Sequence, residues 1–271
     1  MVTTTTSTAA SPPSVSQTPA AASGPRIAWE KLPDDFVLPD DPVDNIAQPA
    51  IAQALSDALE QGGHLPAGAL APTNYGLCAT VNDRLAIKAP DWVYIPAVTV
   101  PLTDIERSYT PHLQGEPPLI VLEFLSATEG DEYSVRPSHP LGKWYFYEQV
   151  LRVPVYGLFD VAAGTLEVYR LGDDGRYQPL PPQTPEEGAG DRVWIEELGL
   201  WLGVWTGQRQ NRTGPWLRWW TEAGDLLLWG TEQAALERER AESERERADA
   251  AIARAERLAE LLRQQGIDPE A

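Results

Sequence analysis

The feature of the sequence that limits the fold most is one charged residue inside an apolar run. The run extends from Leu119 to Leu125, and its only charge is Glu123. Such a run is typical of a strand buried on both faces of a sheet. A buried carboxylate is costly unless a cation, a metal ion or a strong set of hydrogen bonds compensates it. Glu123 therefore predicts either a metal ligand or a structural ion pair inside a sheet.

The residues before this run predict one helix and several strands. Apolar residues from Ile46 to Leu59 recur at helical spacing. Strand-forming residues fill Leu77 to Val81, Leu85 to Ala89 and Trp92 to Ile95. A tight turn at Asn82-Asp83 joins the first two of these strands into a hairpin.

The residues after the run predict a crossover unit. Lys143 to Arg152 has the pattern of a helix, and Val155 to Asp160 that of a strand. Thr165 to Tyr169 and Arg176 to Pro179 flank a Gly-Asp-Asp-Gly turn and predict a hairpin that extends the sheet. Strand, helix, strand indicates a mixed central sheet flanked by helices, and hence an α/β fold.

The C-terminal third predicts two further parts. Val193 to Trp229 is rich in tryptophan and predicts β-hairpins that close the domain. We interpret these tryptophans as core or interface residues, because base stacking needs a basic groove and arginines are few there. Glu232 to Gln265 predicts a long charged helix. An alanine repeat of seven residues would suit a coiled coil, but Glu237 and Glu244 weaken its first half, so a solvated single helix stays an alternative.

We therefore predict a disordered arm over residues 1–28, one domain over 29–230 and the C-terminal helix over 231–271. Dimerisation through that helix or through the Trp-rich strands is a hypothesis. Cys78 is the only cysteine, which excludes an internal disulfide and favours the cytoplasm. No apolar run is long enough for a membrane span.

The charge of the chain limits how it can meet nucleic acid. The formal net charge is −19 at pH 7. Affinity for nucleic acid comes largely from Lys and Arg side chains that release counterions from phosphates. Any contact with DNA must therefore be local.

A second acid completes a candidate metal site. Asp91, in a Pro-Asp pair, opens the predicted strand at Trp92, and Glu123 lies in the next buried strand. Neighbouring strands would bring both carboxylates to one Mg²⁺ or Mn²⁺ ion, and the Phe124 backbone carbonyl would be a further oxygen ligand. Hydrolytic nucleases use such ions to lower the pKa of water and to neutralise charge on the phosphate.

These residues resemble the Uma-two family of restriction endonucleases. The resemblance covers roughly Leu32 to Trp229 and is carried by Pro90-Asp91, by Val121 to Ser126, by Lys143 four residues ahead of Tyr147, and by Val153 to Tyr156 with Asp160. It implies a branch of the PD-(D/E)XK nuclease superfamily, with a restriction-endonuclease-like mixed sheet and a metal held by two acids. Asp91 and Glu123 occupy the two acid positions.

The sequence departs from the superfamily pattern at two places. The lysine that should follow the glutamate by two residues is Leu125, so we take Lys143 as its substitute, with Lys88 as a weaker one and a solvated helix lysine as the alternative for Lys143. The family's early glutamate has no clear counterpart between Asp40 and Gln48.

Two hypotheses follow for the function. The first is a metal-dependent DNA endonuclease, with Asp91, Glu123 and Lys143 as its catalytic residues. The alternative is a catalytically inactive descendant that keeps the fold as a binding or scaffold module and uses its C-terminal helix for partner association.

Overall fold

A computed structural model describes residues 25–31, 33, 46–125, 131–184 and 190–265 of the chain. Within them, the helical segments are α1 (Ala47–Gln61), a 3₁₀ turn (Leu102–Asp104), α2 (Lys143–Tyr145) with its π-helical continuation (Phe146–Leu151), and α3 (Gly230–Gln264). The strands are β1 (Ile27–Ala28), β2 (Gly76–Val81), β3 (Arg84–Lys88), β4 (Trp92–Tyr94), β5 (Ser108–Tyr109), β6 (Ile120–Leu125), β7 (Val155–Asp160), β8 (Thr165–Leu171), β9 (Tyr177–Pro179), β10 (Arg192–Ile195), β11 (Leu200–Arg209) and β12 (Arg212–Thr221).

The central sheet has the strand order β4-β6-β7-β8-β9. Strands β6 and β7 pair in parallel, and the other neighbours pair antiparallel. A parallel pair needs a crossover connection, and here the helix formed by α2 and its π-helical continuation lies between the two strands in the chain. The mixed sheet predicted from the sequence is confirmed.

Two smaller sheets accompany the central one. In one of them β2 pairs with β1, β3 and β5, and in the other β10, β11 and β12 form an antiparallel meander. The β2–β3 hairpin turns at Asn82 and Asp83, both with positive φ (52° and 60°), a backbone conformation that Asn and Asp tolerate better than most residues.

Side chains of the central sheet alternate between two cores. On one face, Trp92, Leu122 and Phe124 join the core shared with α1 and the β10–β12 meander. On the other face, Val93, Val121 and Tyr156 join the core shared with the π-helical segment and β2. The sheet is therefore covered on both sides, as the nearly continuous apolar pattern of β6 predicts.

Helix α3 is attached to the domain through its first turn. Glu232 receives hydrogen bonds from the backbone N–H of Trp229 and from the buried Arg218 guanidinium, the latter at 2.7 Å. Arg218 also lies 3.4 Å from the centroid of the Trp229 ring. None of the 35 described residues of α3 is buried.

The sequence predictions for these elements are confirmed with small shifts of their ends. The predicted helix from Lys143 to Arg152 ends at Leu151, because Arg152 adopts a left-handed backbone conformation with φ 53°. Most of the predicted N-terminal arm lies outside the described residues, and its last two residues form β1. No helix of the described residues combines the length and apolarity that crossing a membrane would require.

Candidate active site

The pairing of β4 with β6 brings the two predicted acids together. Trp92 lies opposite Leu122 in this antiparallel pair, so one further step in the same register sets Asp91 opposite Glu123. Residues that are directly opposite in an antiparallel pair point to the same face. The two carboxyl groups are therefore neighbours, and each affects the pKa of the other. The structure thus brings together the two acids that the sequence pairs.

Asp91 is also fixed by the backbone of the neighbouring strand. Its Oδ2 accepts a hydrogen bond from the Phe124 N–H at 2.5 Å. Burial raises the pKa of Asp91, whereas the Phe124 N–H and the positive charge of Lys143 oppose that rise. The carboxyl group is thus held at one place although its ionised form is disfavoured.

Glu123 is completely buried, and its two oxygens have different partners. Oε2 lies 3.2 Å from Lys143 Nζ, and Oε1 accepts a hydrogen bond from the Tyr147 hydroxyl at 2.8 Å. Burial raises the pKa of Glu123 to about 8, with a further contribution from the Asp91 charge, against the opposing effects of Lys143 and Tyr147. Without a metal ion, the site favours the protonated form of Glu123 near neutral pH.

Lys143 reaches Glu123 from the first residue of α2. Its side chain is 16% exposed, and its ammonium group also lies 3.4 Å from Glu132 Oε1. The structure therefore places Lys143 at the acids, as the sequence predicts, and not in solvent. Lys88, the weaker substitute, lies 2.6 Å from Asp131 instead.

Leu125 and Phe124 contribute no charged group to the site. Leu125 follows Glu123 by two residues, and its partly buried side chain packs against the core on the Glu123 face of the sheet. The Phe124 carbonyl, which the sequence predicts as an oxygen ligand, accepts a hydrogen bond from Gln48 Nε2 at 2.8 Å. Gln48 is a buried residue of α1, so a neutral amide contacts the site on the side where an early acid was expected.

Sequence reasoning missed Glu132. Its side chain is 1% exposed, and its Oε1 contacts Lys143. Its Oε2 is buried and has no hydrogen-bond partner among the residues described. The signal was weak because Glu132 lies in a connection between β6 and α2 without a periodic pattern. A buried acceptor with no donor is the kind of atom that an ion or a water molecule satisfies.

The residues present fit a divalent cation of the Mg²⁺ type. Such ions prefer carboxylate and carbonyl oxygens, and here two carboxyls from adjacent strands meet beside a third buried one. Within the described ranges, no three His, Cys, Asp or Glu side chains converge closely enough to form a complete ligand set. The fit therefore rests on Asp91 and Glu123 as ligands, with Glu132 nearby.

Other candidate chemistry is not supported by the structure. Cys78 is buried, and burial raises the pKa of its thiol to about 11, against a weaker opposing hydrogen bond with Ser108. A buried thiol of this kind is not a nucleophile at neutral pH. Trp216, Trp219 and Trp229 are buried, as predicted for core residues.

The fold and the paired acids define the class of protein. A mixed sheet flanked by helices, with an acid before one strand and a buried acid in its neighbour, is the restriction-endonuclease-like architecture. The profile of the Uma2 (Uma-two) family, described as "Putative restriction endonuclease", matches residues 25–204. The chain therefore belongs to this family and, with it, to the PD-(D/E)XK-like nuclease superfamily. No curated protein sequence matches the chain.

Proposed function

We propose that this protein is a metal-dependent endonuclease that hydrolyses phosphodiester bonds of DNA. Asp91 and Glu123 hold Mg²⁺ or Mn²⁺, and Lys143 assists. The Phe124 carbonyl, which also accepts a hydrogen bond from Gln48, is a further oxygen ligand. The observation that carries the proposal is the strand register that sets Asp91 opposite the buried Glu123 in the interior of a sheet.

The energetics of the site support a cation between these acids. A buried carboxyl whose pKa is raised to about 8 is unfavourable in its ionised form, and a neighbouring acid adds to the cost. Hydrogen-bonded core residues of similar size would avoid this cost. A divalent ion lowers it and, when bound, supplies an acidified water molecule and positive charge for the phosphate.

We assign to Lys143 the role of the superfamily lysine, although it comes from another element. Its ammonium group lies 3.2 Å from Glu123 Oε2, so it enters the site from the helix and not from β6. At that place it orients a water molecule or a phosphate oxygen. This compensates for Leu125, whose apolar side chain has no such capacity.

The net charge suits a local mode of DNA contact. At a formal charge of −19, the chain has no excess of Lys and Arg for a wide phosphate-binding surface. A divalent cation at the acids would supply positive charge at the scissile phosphate itself. Cleavage should accordingly depend only weakly on ionic strength, since Lys and Arg neutralise few phosphates.

Plasmid nicking with purified protein tests the proposal. In Mg²⁺ or Mn²⁺ the wild type should convert supercoiled DNA to nicked or linear DNA, and Asp91→Ala and Glu123→Ala should abolish the conversion. Glu260→Gln, in an exposed pair with Arg263 on α3, is the matched control and should cleave like the wild type. Cleavage that survives both alanine substitutions would come from a contaminant, and the proposal would lose its support.

A second candidate function is a scaffold in which α3 recruits a partner or a second copy of the chain. The observation that favours it is the exposure of α3, where Ile252 and Leu258 are 57% and 55% exposed. Light scattering behind size-exclusion chromatography tests self-association. A dimer that Leu258→Glu converts to a monomer would support pairing through the helix, and a dimer that persists would point to the Trp-rich strands.

A further inference from the structure

Glu132 is a buried acid whose place is fixed from several sides. Its backbone carbonyl accepts a hydrogen bond from the buried Tyr156 hydroxyl at 2.9 Å. The preceding residue, Asp131, accepts a backbone hydrogen bond from Lys143 and pairs with Lys88 through its side chain. The connection that carries Glu132 is thus attached both to β3 and to the start of α2.

The side chain of Glu132 is not fully satisfied in this position. One oxygen contacts the Lys143 ammonium at 3.4 Å, and the other is buried with no partner in the described part of the chain. A glutamate that served only to hold Lys143 would leave this second oxygen at a substantial cost. The free oxygen therefore points to a group that the described residues do not provide.

The charge of the cluster points to the same conclusion. Asp91, Glu123 and Glu132 are three carboxyls, and among the described residues Lys143 is the cation that contacts two of them, Glu123 and Glu132. When all of them are ionised, the excess is two negative charges, which equals the charge of one divalent cation. With Asp91 and Glu123 alone, a divalent ion and Lys143 would leave the buried site positive.

We propose that Glu132 is a third acid of this metal site, one that acts without binding the ion directly. One of its oxygens positions the Lys143 ammonium between two carboxylates. Its free oxygen accepts hydrogen bonds from water around the ion, and its charge completes the neutralisation of the site. This proposal rests on the proposed metal-dependent function, and it makes Glu132 a positioning residue.

Calorimetric titration of the full chain with Mn²⁺ tests the proposal without any need for activity. Glu132→Gln keeps the size and removes the charge, whereas Glu132→Asp keeps the charge and shortens the side chain. If charge is what matters, Gln should weaken Mn²⁺ binding by about 10- to 100-fold, as loss of an outer-shell partner does, and Asp by less. A role in packing alone predicts the opposite order. Glu148→Gln, at another buried acid beyond the metal site, is the control and should bind like the wild type.

The outcomes separate this inference from the proposed function. Glu132→Gln that binds Mn²⁺ within threefold of wild type, while Glu123→Gln has lost binding, would overturn the role of Glu132 and leave the metal site intact. Wild-type protein that binds no Mn²⁺, or binding that survives Glu123→Gln, would remove the proposed function itself. If Glu132→Gln does not fold, the Asp variant decides: a loss of more than tenfold in folded Glu132→Asp would overturn the inference.

Discussion

The stability of the metal-free protein should fall as pH rises, because of Glu123. The carboxyl pKa is about 8 in the folded protein, against an ordinary value of 4.5. The folded state therefore holds a proton that the unfolded state has released between these values, and stability declines with pH by up to about 1.4 kcal/mol per pH unit. Above pH 8 the full cost of ionising the buried group is present, on the order of 5 kcal/mol.

Glu123→Gln isolates this contribution. The groups that face Glu123 are Asp91 from β4, Lys143 and Tyr147 from the helix, and Tyr156 from β7, and all of them remain in the variant. The difference in unfolding free energy between variant and wild type should therefore grow by about 3 kcal/mol in favour of the variant from pH 5.5 to 8.5. An offset that does not change with pH is expected too, since the amide makes poorer contact with Lys143.

Urea unfolding followed by tryptophan fluorescence, in EDTA, measures the difference. Glu148→Gln is a control with the opposite sign: burial alone would raise the pKa of Glu148, but hydrogen bonds from Tyr177, Gln149, Trp144 and Arg176 lower it overall. The stability that the lowered pKa of Glu148 provides is present above the pKa of the unfolded state and is lost only in acid. The difference in unfolding free energy between Glu148→Gln and wild type should therefore stay constant from pH 5.5 to 8.5. If the difference in unfolding free energy for Glu123→Gln also changes by less than about 1 kcal/mol over this range, the pKa of Glu123 is not raised in the folded protein.

Three other predictions concern the ion, the buried arginine and the long helix. Mn²⁺ at about 100 times its dissociation constant should stabilise the wild type by about 2.7 kcal/mol in the same unfolding assay and leave Glu123→Ala unchanged; equal stabilisation of both would place the ion elsewhere. Arg218→Met should cost about 1 to 3 kcal/mol, because Glu232, which is 31% exposed, loses its hydrogen bonds from the guanidinium, and a loss below about 0.5 kcal/mol in urea would contradict this. Ending the chain after Ala241 should change the unfolding free energy by less than about 1 kcal/mol, since no described residue of α3 is buried, whereas a larger loss would reveal a contact of the distal helix.

Much of the fold was predictable because it depends on local patterns. The apolar run of β6, the Asn82-Asp83 turn and the helical spacing of α1 each reflect a rule that acts over a few residues. The register between β4 and β6 was not readable from the sequence, since Asp91 and Glu123 are separated by 32 positions in the chain. The family resemblance supplied that pairing, and the structure gives its physical form.

The parts of the site that were missed lie where local patterns carry no signal. Glu132 lies in an irregular connection, and its burial results from packing between α2 and the sheet. Gln48 was considered only as the place of an absent acid, whereas its amide contacts the Phe124 carbonyl. Nothing in the local sequence marks Arg218 as buried, but its guanidinium packs against Trp229 and Glu232. Each case depends on contacts between residues far apart in the chain.

The proposed function depends on two carboxylates from adjacent strands that hold one cation inside the sheet. Crystals grown with Mn²⁺ and measured near its absorption edge test it directly. We expect one anomalous peak next to Lys143, at about 2.0 to 2.4 Å from a carboxylate oxygen of Asp91 and at the same distance from one of Glu123. At saturating Mn²⁺, a peak bound by other residues, or no peak at these two acids, would contradict it.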